Sequence, residues 1–429
     1  MHSTKTPLPA QAILNSLNSS FRTAVVFSAL FALPSFVYAQ SASETNTKTD
    51  DTTDVKESSA VAININHRSD LISNLQGGLK RGSTWLGYTD LKLGVDLEKA
   101  IGLNHSKFYT QFHSELGGKP NAKLVGSYMG INNIEVNTNT AQLSQFWFEK
   151  TSADGELGLL FGLYALDSEF YVTDSSGVFL QPPLGIGTSI GQTGKNGPPI
   201  FPRTSAGLRF KYQSPSQNYF QAAIMDGVPG DPNNFYGTRV KFEKGDGTIS
   251  IVEVGHLGDK QGTSAFGVRK LALGYWKYSS PYPDLVDLDA KGEARERQNH
   301  GWYLLGEFSL FSDENHPQKN LTSFFRFGTA SRHLYQVDWS VSTGLNYSGF
   351  LNERPHDVLA FGITNSHTSN KFRSANSAEN HESIVELTYK YQYNQHLAIQ
   401  PLVQYVVNPN MDRSIKNALV AGVRFDLNF

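Results

Sequence analysis

The sequence predicts an all-β fold, a transmembrane antiparallel β-barrel of about sixteen strands, which is within the range of known barrels. Three observations predict it: an export signal at the N-terminus, no later apolar run as long as a spanning helix, and side chains that alternate between apolar and polar up to the final Phe429. Because lipid offers no hydrogen-bond partners to backbone groups, a spanning chain without apolar helices must close its sheet into a barrel.

The N-terminus has the order of a secretory signal. Lys5 and Arg22 precede an apolar run from Ala24 to Phe36, and Val37, Tyr38 and Ala39 close the segment before a polar stretch. We therefore expect cleavage after Ala39 and removal of residues 1–39, with a cut near Ala42 or a later start codon as the alternatives. Residues 40–66 are rich in Ser, Thr, Asp and Asn and are predicted to form a flexible leader, with the structured chain beginning near Leu71. Residues 67–429 are assigned to the barrel, since no run there approaches the roughly 18 apolar residues of a spanning helix.

Composition excludes several classes of function. The chain has 0 cysteines, so disulfides and thiolate metal sites are excluded. Of the 37 basic and 39 acidic residues, only two basic ones lie in residues 1–39, which leaves the exported chain at −4. This weakly acidic balance gives no sign of nucleic-acid binding. No motif calls for a metal or another cofactor.

The alternation of apolar and polar side chains predicts the strands, because successive residues of a strand point to opposite faces. Alternation is clearest in residues 302–310, 337–348, 385–393 and 419–429, where Val, Leu, Trp, Tyr and Phe interleave with polar residues. A soluble β-sandwich also alternates, but aromatic residues at strand ends and the terminal Phe favour a membrane barrel. Twelve weaker candidates complete the count: Leu91–Leu97, Phe108–Phe112, Ser144–Phe148, Leu157–Leu163, Leu208–Gln213, Tyr219–Met225, Val240–Glu243, Thr248–Val254, Phe266–Tyr275, Phe324–Phe327, Asp357–Ile363 and Leu397–Val407.

One connection is much longer than the others. About forty residues, dense in Gly and Pro, separate the strand ending at Leu163 from the strand beginning at Leu208, well beyond ordinary connection lengths. Long loops of this kind are usually functional. We predict that the segment from Asp167 to Thr204 folds inward and narrows the channel.

Sequence blocks spread between residues 71 and 429 are Asn74–Gly82, Asn132–Glu135, Asp167–Phe170, Val172–Gly177, Phe201–Pro202, Asp226–Pro232, Gln404–Asn410, Asn417–Ala418 and Gly422–Arg424. These blocks resemble the OprB-type carbohydrate-selective porins of Gram-negative outer membranes. The resemblance implies a barrel of about sixteen strands, an outer-membrane location and passive diffusion of small sugars. A charged insert, Pro281 to Asn299, departs from the family pattern.

Candidate channel residues follow from strand parity and the long loop. Arg209 and Lys211 alternate with Leu208 and Phe210, so we expect them to point into the lumen. The alternative is that such charges only wet the lumen, pair with each other and pin the loop. Trp147 is predicted to face the channel, whereas Trp85, Trp276, Trp302 and Trp339 are predicted to be membrane-interface anchors. The full candidate set is Trp147, Glu149, Glu169, Asp174, Arg203, Arg209, Lys211, Asp226, Asp231 and Arg239.

Other functions stay open at this point: a general diffusion porin, an outer-membrane barrel enzyme, or a surface sugar-binding module. Residues 187–191 match the Gly-x-Ser-x-Gly pattern of hydrolases, but we expect no helix after the serine, as that motif requires. Asp284, Asp287 and Asp289 do not match a calcium-binding loop, so a solvated acidic loop is predicted. We expect no catalytic activity. The expected partners are small sugars and the lipid of the outer membrane. Whether the chain is a monomer or a homo-oligomer stays open at this point.

Overall fold

The computed structural model describes residues 59–258, 267–313 and 315–429. The predicted signal and most of the predicted leader lie outside these ranges. Sixteen strands form a closed antiparallel barrel, in which each strand pairs with its neighbours along the chain and the first pairs with the last. The predicted fold class and strand number are confirmed.

A strand crosses a bilayer in about 9–11 tilted residues, and every strand reaches that length except Leu157–Tyr164, which has 8 residues. None of the helices in the described ranges is long and apolar enough to cross a membrane. The described ranges hold three short α-helices, α1 (Leu97–Ile101), α2 (Thr188–Gly191) and α3 (Asn370–Asn376), beside several single turns of 3-10 or π-helix. The strands are β1 (Val61–Gly78), β2 (Gly82–Asp96), β3 (Ser106–Gly117), β4 (Ala141–Thr151), β5 (Leu157–Tyr164), β6 (Ser205–Gln213), β7 (Asn218–Asp226), β8 (Thr248–Leu257), β9 (Gly267–Leu288), β10 (Ala294–Asp313), β11 (His316–Thr329), β12 (Val337–Ser348), β13 (Val358–Thr368), β14 (His381–Gln392), β15 (Leu397–Val407) and β16 (Lys416–Asn428).

Side-chain alternation sorts the two faces of the barrel wall. On β14, Leu387 is 51% exposed on the outside while the neighbouring Glu386 is 0% exposed inside. On β10, Trp302 points outward and Tyr303 inward. The outer surface is therefore an apolar band, whereas a β-sandwich would bury these side chains between two sheets. The alternation predicted for residues 302–310, 337–348, 385–393 and 419–429 is confirmed.

The two ends of the barrel differ in their connections. The short turns 152–156 and 214–217 lie at the end where β1 begins and β16 ends, which we call the short-turn end. The longer connections 118–140, 165–204 and 227–247 all leave from the opposite, long-loop end. In outer-membrane barrels the short turns face the periplasm and the longer loops face outside.

The end of the predicted leader and one predicted strand are wrong. One strand was missed and one was predicted where none forms, so the strand count is unchanged. β1 begins at Val61, so the last residues of the predicted leader, 61–66, belong to a strand that pairs with β2 and β16. Asn66 donates a hydrogen bond to Asp426 at 2.6 Å, which ties this segment to the wall. Conversely, the predicted strand Val240–Glu243 belongs to the 227–247 loop, where Phe242 is exposed.

The charged insert is a hairpin extension rather than a solvated loop. Residues 281–288 and 294–299 continue β9 and β10 beyond the apolar band. The side chain of Asp284 is buried and lies 2.6 Å from Lys371 Nζ and 3.0 Å from Arg297 Nε. His333 and Asp287 are close enough to complete a metal ligand set with Asp284, but the two cations already neutralise that carboxylate. The arrangement therefore fits an ion-pair clamp between the hairpin and α3.

Candidate functional site

The long loop 165–204 folds into the barrel, as predicted. Its backbone N–H groups donate to carboxylates that point inward from widely separated strands: Tyr171 to Glu253 on β8 at 3.0 Å, and Leu180 to Glu386 on β14 at 2.9 Å. Ser189 on α2 reaches β12, where its N–H donates to Ser340 Oγ. The loop therefore crosses the lumen and follows half of its wall.

A second inward loop, residues 118–140, was not predicted. The N–H groups of Tyr128 and Met129 donate to Glu382 on β14 at 2.9 and 3.1 Å. Asn132 donates to Asp70 on β1 at 2.6 Å, and Asp70 also pairs with Arg424. The signal that could have found it is the length of the gap between the candidate strands on either side, since the loss of alternation there left a connection too long for a simple turn.

Arg209, Glu149 and Glu169 meet where the long loop leaves the wall. Arg209 Nη2 lies 2.7 Å from Glu149 Oε1, and its Nε lies 2.7 Å from Glu169 Oε2. The hydroxyl of Tyr164 also donates to Glu169. Arg209 is only 3% exposed. Its side chain points inward, as the alternation on β6 predicts, but the two glutamates neutralise its charge, so it holds the loop in place.

An aromatic pair lines the lumen on β3 and β4. The rings of Tyr109 and Trp147 stack with centroids 5.0 Å apart and planes 22° apart. Both side chains are only partly buried. Gln145 donates to Gln111 at 2.8 Å and accepts from Trp147 Nε1 at 3.3 Å. A flat apolar surface therefore lies beside carboxamide groups, as a sugar ring with its hydroxyls requires.

A glycine across the ladder makes room for Trp147. Gly162 on β5 lies directly opposite it and has φ of +138°. A Cβ at this position would lie 2.3 Å from the carbonyl oxygen of Phe146 and 2.9 Å from the Cβ of Trp147. A larger residue at 162 would therefore displace the aromatic pair.

Charged side chains of opposite sign continue the same wall. Asp90 accepts from Gln111 at 3.0 Å and lies 3.3 Å from Lys92. Asp426 lies 3.9 Å from Arg68 and 3.8 Å from Lys390. These basic side chains point inward and are still partly exposed to solvent: Arg68 is 36% exposed, Lys92 39% and Lys390 32%. The sequence analysis missed these residues, and the signal was the shared face of Asp90 and Lys92 on β2.

Several predicted site residues lie at the long-loop end instead. Arg239 is exposed in the 227–247 loop, and its predicted lumen parity is wrong because the strand does not exist. Asp231 lies 3.7 Å from Lys241 in the same loop. Arg203 stacks on the ring of Phe235 at 4.5 Å. Asp226 ends β7 at this rim.

The remaining predicted residues are divided between wall and loop. Lys211 follows Arg209 on the inner face of β6, and the N–H of Asp174 donates to Glu307 on β10 at 2.8 Å. Trp276 was predicted to anchor the membrane interface, and this is wrong. It is 1% exposed and packs inside the barrel against Tyr278, because Leu273 and Tyr275 occupy the outward positions of β9.

The hydrolase-like serine has no hydrolase geometry. Contrary to expectation a helix is present, but α2 is a single turn within the inward loop. Ser189 is buried, and its Oγ lies 3.1 Å from the hydroxyl of Ser340 rather than against a histidine.

A barrel with inward loops and a polar lumen is the architecture of a porin. The model of the carbohydrate-selective porin, OprB family, matches residues 80–429. The chain belongs to the OprB family. It is accordingly a sugar porin of the Gram-negative outer membrane. The family is not a class of enzymes.

Two curated relatives and one solved structure illustrate the similarity. The chain is 23% identical to Porin B of Pseudomonas aeruginosa, over 83% of this chain and 85% of that protein. It is 22% identical to the putative porin QuiX of Acinetobacter baylyi, over 84% of this chain and 87% of that protein. The high-pH structure of Pseudomonas putida OprB matches with a TM-score of 0.74 and 20% identity, over 86% of this chain and 94% of that one. At 20% identity, the structural similarity supports a shared fold only.

Proposed function

We propose that sugars cross this porin along the wall formed by β1–β4, β6 and β16, past the edges of the two inward loops, and that the flux is passive. The observation that carries this proposal is the stacked Tyr109–Trp147 pair, which lies in the lumen beside carboxamides and paired charges. No energy source is needed for diffusion down a gradient.

The chemistry of this wall suits a neutral polyol. Sugar rings have flat apolar faces that pack on aromatic rings, while their hydroxyls exchange hydrogen bonds with groups such as Gln111 and Asp90. Because Asp90 is close to Lys92 and Asp426 is close to Arg68, the wall carries little net charge. A pore must also release its solute, so an affinity of about −4 kcal/mol, in the millimolar range, is the right order.

The proposed residues have two kinds of role. Trp147 is the platform on which the sugar ring stacks, and Asp90, Lys92 and Arg68 exchange hydrogen bonds with its hydroxyls. Arg209, with Glu149 and Glu169, is a positioning residue that fixes the start of the long loop. The aromatic platform favours sugar selectivity over general diffusion, because a general pore has no need of a stacking surface.

Liposome swelling and channel recording test the proposal together. We expect proteoliposomes to swell faster in D-glucose and D-arabinose than in amino acids of similar mass. In planar bilayers, D-glucose should block single-channel current at millimolar concentration. Equal swelling rates for sugars and amino acids, with no block, would indicate a general diffusion pore. Failure to pass current in steps would indicate a plugged barrel and contradict the proposal.

A further inference from the structure

A cavity of about 470 Å³ lies under the inward loop, on its short-turn side. Residues 174–178 of the loop form its roof, and strands from β9 to β14 form its wall. Ser312 and Ser348 line it next to the short turns, so the cavity faces the periplasmic end. Its volume is within the range of about 300–1,000 Å³ that small-molecule sites occupy. The aromatic platform is on different strands, β3 and β4.

Neutral hydrogen-bonding side chains form two rows on this wall, which we call the polar rows. Residues of each row lie directly opposite one another on β10, β11 and β12. Neighbouring strands are about 4.8 Å apart, and the rows are about 6.6 Å apart along the strands. Each group both donates and accepts, as sugar hydroxyls do. One row is Ser309, Thr322 and Asn346, and the other is Ser312, Asn320 and Ser348.

Three uncharged polar atoms around the cavity have no hydrogen-bond partner among the described residues. They are Ser309 Oγ, Asn346 Oδ1 and Ser175 Oγ, in side chains that are 2%, 7% and 8% exposed. Buried polar atoms normally have a partner. All three residues line the cavity, so its wall has unused hydrogen-bonding capacity.

Three charged side chains of the cavity, Arg269, Glu307 and Lys390, lie within ion-pair distance of an opposite charge. Arg269 Nε lies 3.3 Å from Glu307, and the same carboxylate accepts the N–H of Ser175 at 3.2 Å. Lys390 lies 3.8 Å from Asp426. Paired charges leave little net field, which favours a neutral ligand with many hydroxyls over an ion.

We infer that this cavity is a second sugar-binding station on the exit side of the channel, with the polar rows as its contact surface. The inference rests on the proposed function, since the sugar reaches the cavity after leaving the Trp147 platform. Binding at successive weak stations lets a solute leave one site as it enters the next, which sustains flux.

Protection of single thiols by sugar tests the station. Since the chain has 0 cysteines, Ser348→Cys gives a unique thiol in the cavity, and Lys92→Cys gives one near the platform. A small charged methanethiosulfonate is added from the short-turn side, with and without saturating D-glucose. We expect D-glucose to slow modification of both thiols at least threefold.

The outcomes separate this inference from the proposed function. Protection at position 92 but not at 348 overturns the station and leaves the sugar pathway standing. Protection at neither position contradicts both. A thiol at 348 that does not react even without sugar also overturns the station, because a station must be open to solute.

A second variant keeps the test independent of the thiol. Ser309→Ala combined with Thr322→Val, in the Ser348→Cys background, removes two facing hydroxyls without changing charge. We expect the D-glucose concentration for half-maximal protection at 348 to rise at least about fivefold, as the loss of two hydrogen bonds requires. Ser323→Ala with Thr343→Val makes the same chemical changes on the lipid-facing side of β11 and β12 and should change nothing. Equal protection in both variants overturns the role of the rows.

Discussion

The buried carboxylate of Glu386 accepts the N–H of Leu180 at 2.9 Å and so fastens the inward loop to the barrel wall. Its second oxygen accepts the N–H of Gln181 at 3.0 Å. Glu307 and Glu382 repeat the arrangement, each accepting two successive backbone N–H groups from an inward loop. The two oxygens of a carboxylate match two adjacent donors, so each anchor satisfies backbone groups that would otherwise be buried without partners.

Replacement of one anchor should release part of the loop. In Glu386→Gln, one carboxylate oxygen is replaced by an NH2 group. This group is a donor and cannot accept a hydrogen bond from the backbone N–H that faces it. Hydrogen bonds to charged groups contribute about 1.5–3 kcal/mol each, so we expect local docking to weaken by about 2 kcal/mol. Amide hydrogen exchange at Leu180 and Gln181 should then accelerate about thirtyfold, and single-channel conductance should become noisier.

An exposed carboxylate is the control for this prediction. Glu353 lies in the short turn between β12 and β13 and is exposed, so Glu353→Gln should leave exchange at Leu180 unchanged. If Glu386→Gln also leaves it unchanged, the carboxylate does not anchor the loop.

Docking of the long loop should depend on pH through Asp167. Burial raises the pKa of this carboxyl to about 6, although a backbone hydrogen bond from Phe201 lowers it. The pKa in an unfolded chain is about 3.9. Because the folded value is the higher one, the docked loop favours the protonated form. Its contribution is complete below pH 4 and is lost as the pH rises through 6.

Hydrogen exchange in residues 165–170 measures this effect. We expect wild-type protection to be several-fold higher at pH 4.5 than at pH 7.5, after correction for intrinsic exchange rates. Asp167→Asn mimics the neutral form and should remove that difference, so the contrast between the two proteins isolates Asp167 from the glutamate anchors. An identical pH slope in the variant would refute the assignment.

Alternation predicted the barrel wherever one face of a strand is apolar throughout. β16 is the clearest case, with Phe425 outside and Arg424 and Asp426 inside. β1 escaped prediction because its outward face also carries polar residues. His67 and Ser69 point outward, where they are satisfied by Thr89 at 2.8 Å and by Trp85 at 2.5 Å. Those partners belong to β2 and are not visible from β1 alone. The other outward positions, Val61, Ile63, Ile65 and Leu71, are apolar, so His67 and Ser69 divide the apolar stripe into two short parts.

The sequence predicted which face of its strand a site residue occupies, but not which other side chains it contacts. The parity of β6 placed Arg209 inside, but sequence alone does not reveal that Glu149 and Glu169 enclose it. For Arg239 the alternation over Val240–Glu243 was too short to separate a strand from an extended loop. The inward loop was predicted from its length, whereas its path along the wall depends on anchors from strands distant in sequence.

Arg209 and Arg239 should respond differently to replacement. Arg209→Ala leaves Glu149 and Glu169 facing each other without their cation, and breaking a buried ion pair costs about 3 kcal/mol or more. We expect faster hydrogen exchange at Tyr164 and Phe170. Arg239→Ala removes an exposed charge at the long-loop end and should leave the D-glucose block constant unchanged. A large change in that constant for Arg239→Ala would place the selective site at the entrance instead of in the lumen.

Trp147 should determine sugar affinity without determining the size of the pore. Trp147→Ala removes the stacking surface over Tyr109, and stacking pairs contribute about 0.5–1.5 kcal/mol beyond their buried area. We therefore expect the D-glucose block constant to rise about tenfold, while conductance in plain salt rises slightly because the lumen gains space. Trp147→Phe keeps an aromatic face and should recover most of the affinity. Trp302→Ala is the matched control, since Trp302 is 44% exposed on the outer face of β10 and cannot reach the lumen. Equal loss of glucose block in Trp147→Ala and Trp302→Ala would mean that tryptophan removal acts through barrel stability, and the platform would have to be sought elsewhere on the wall.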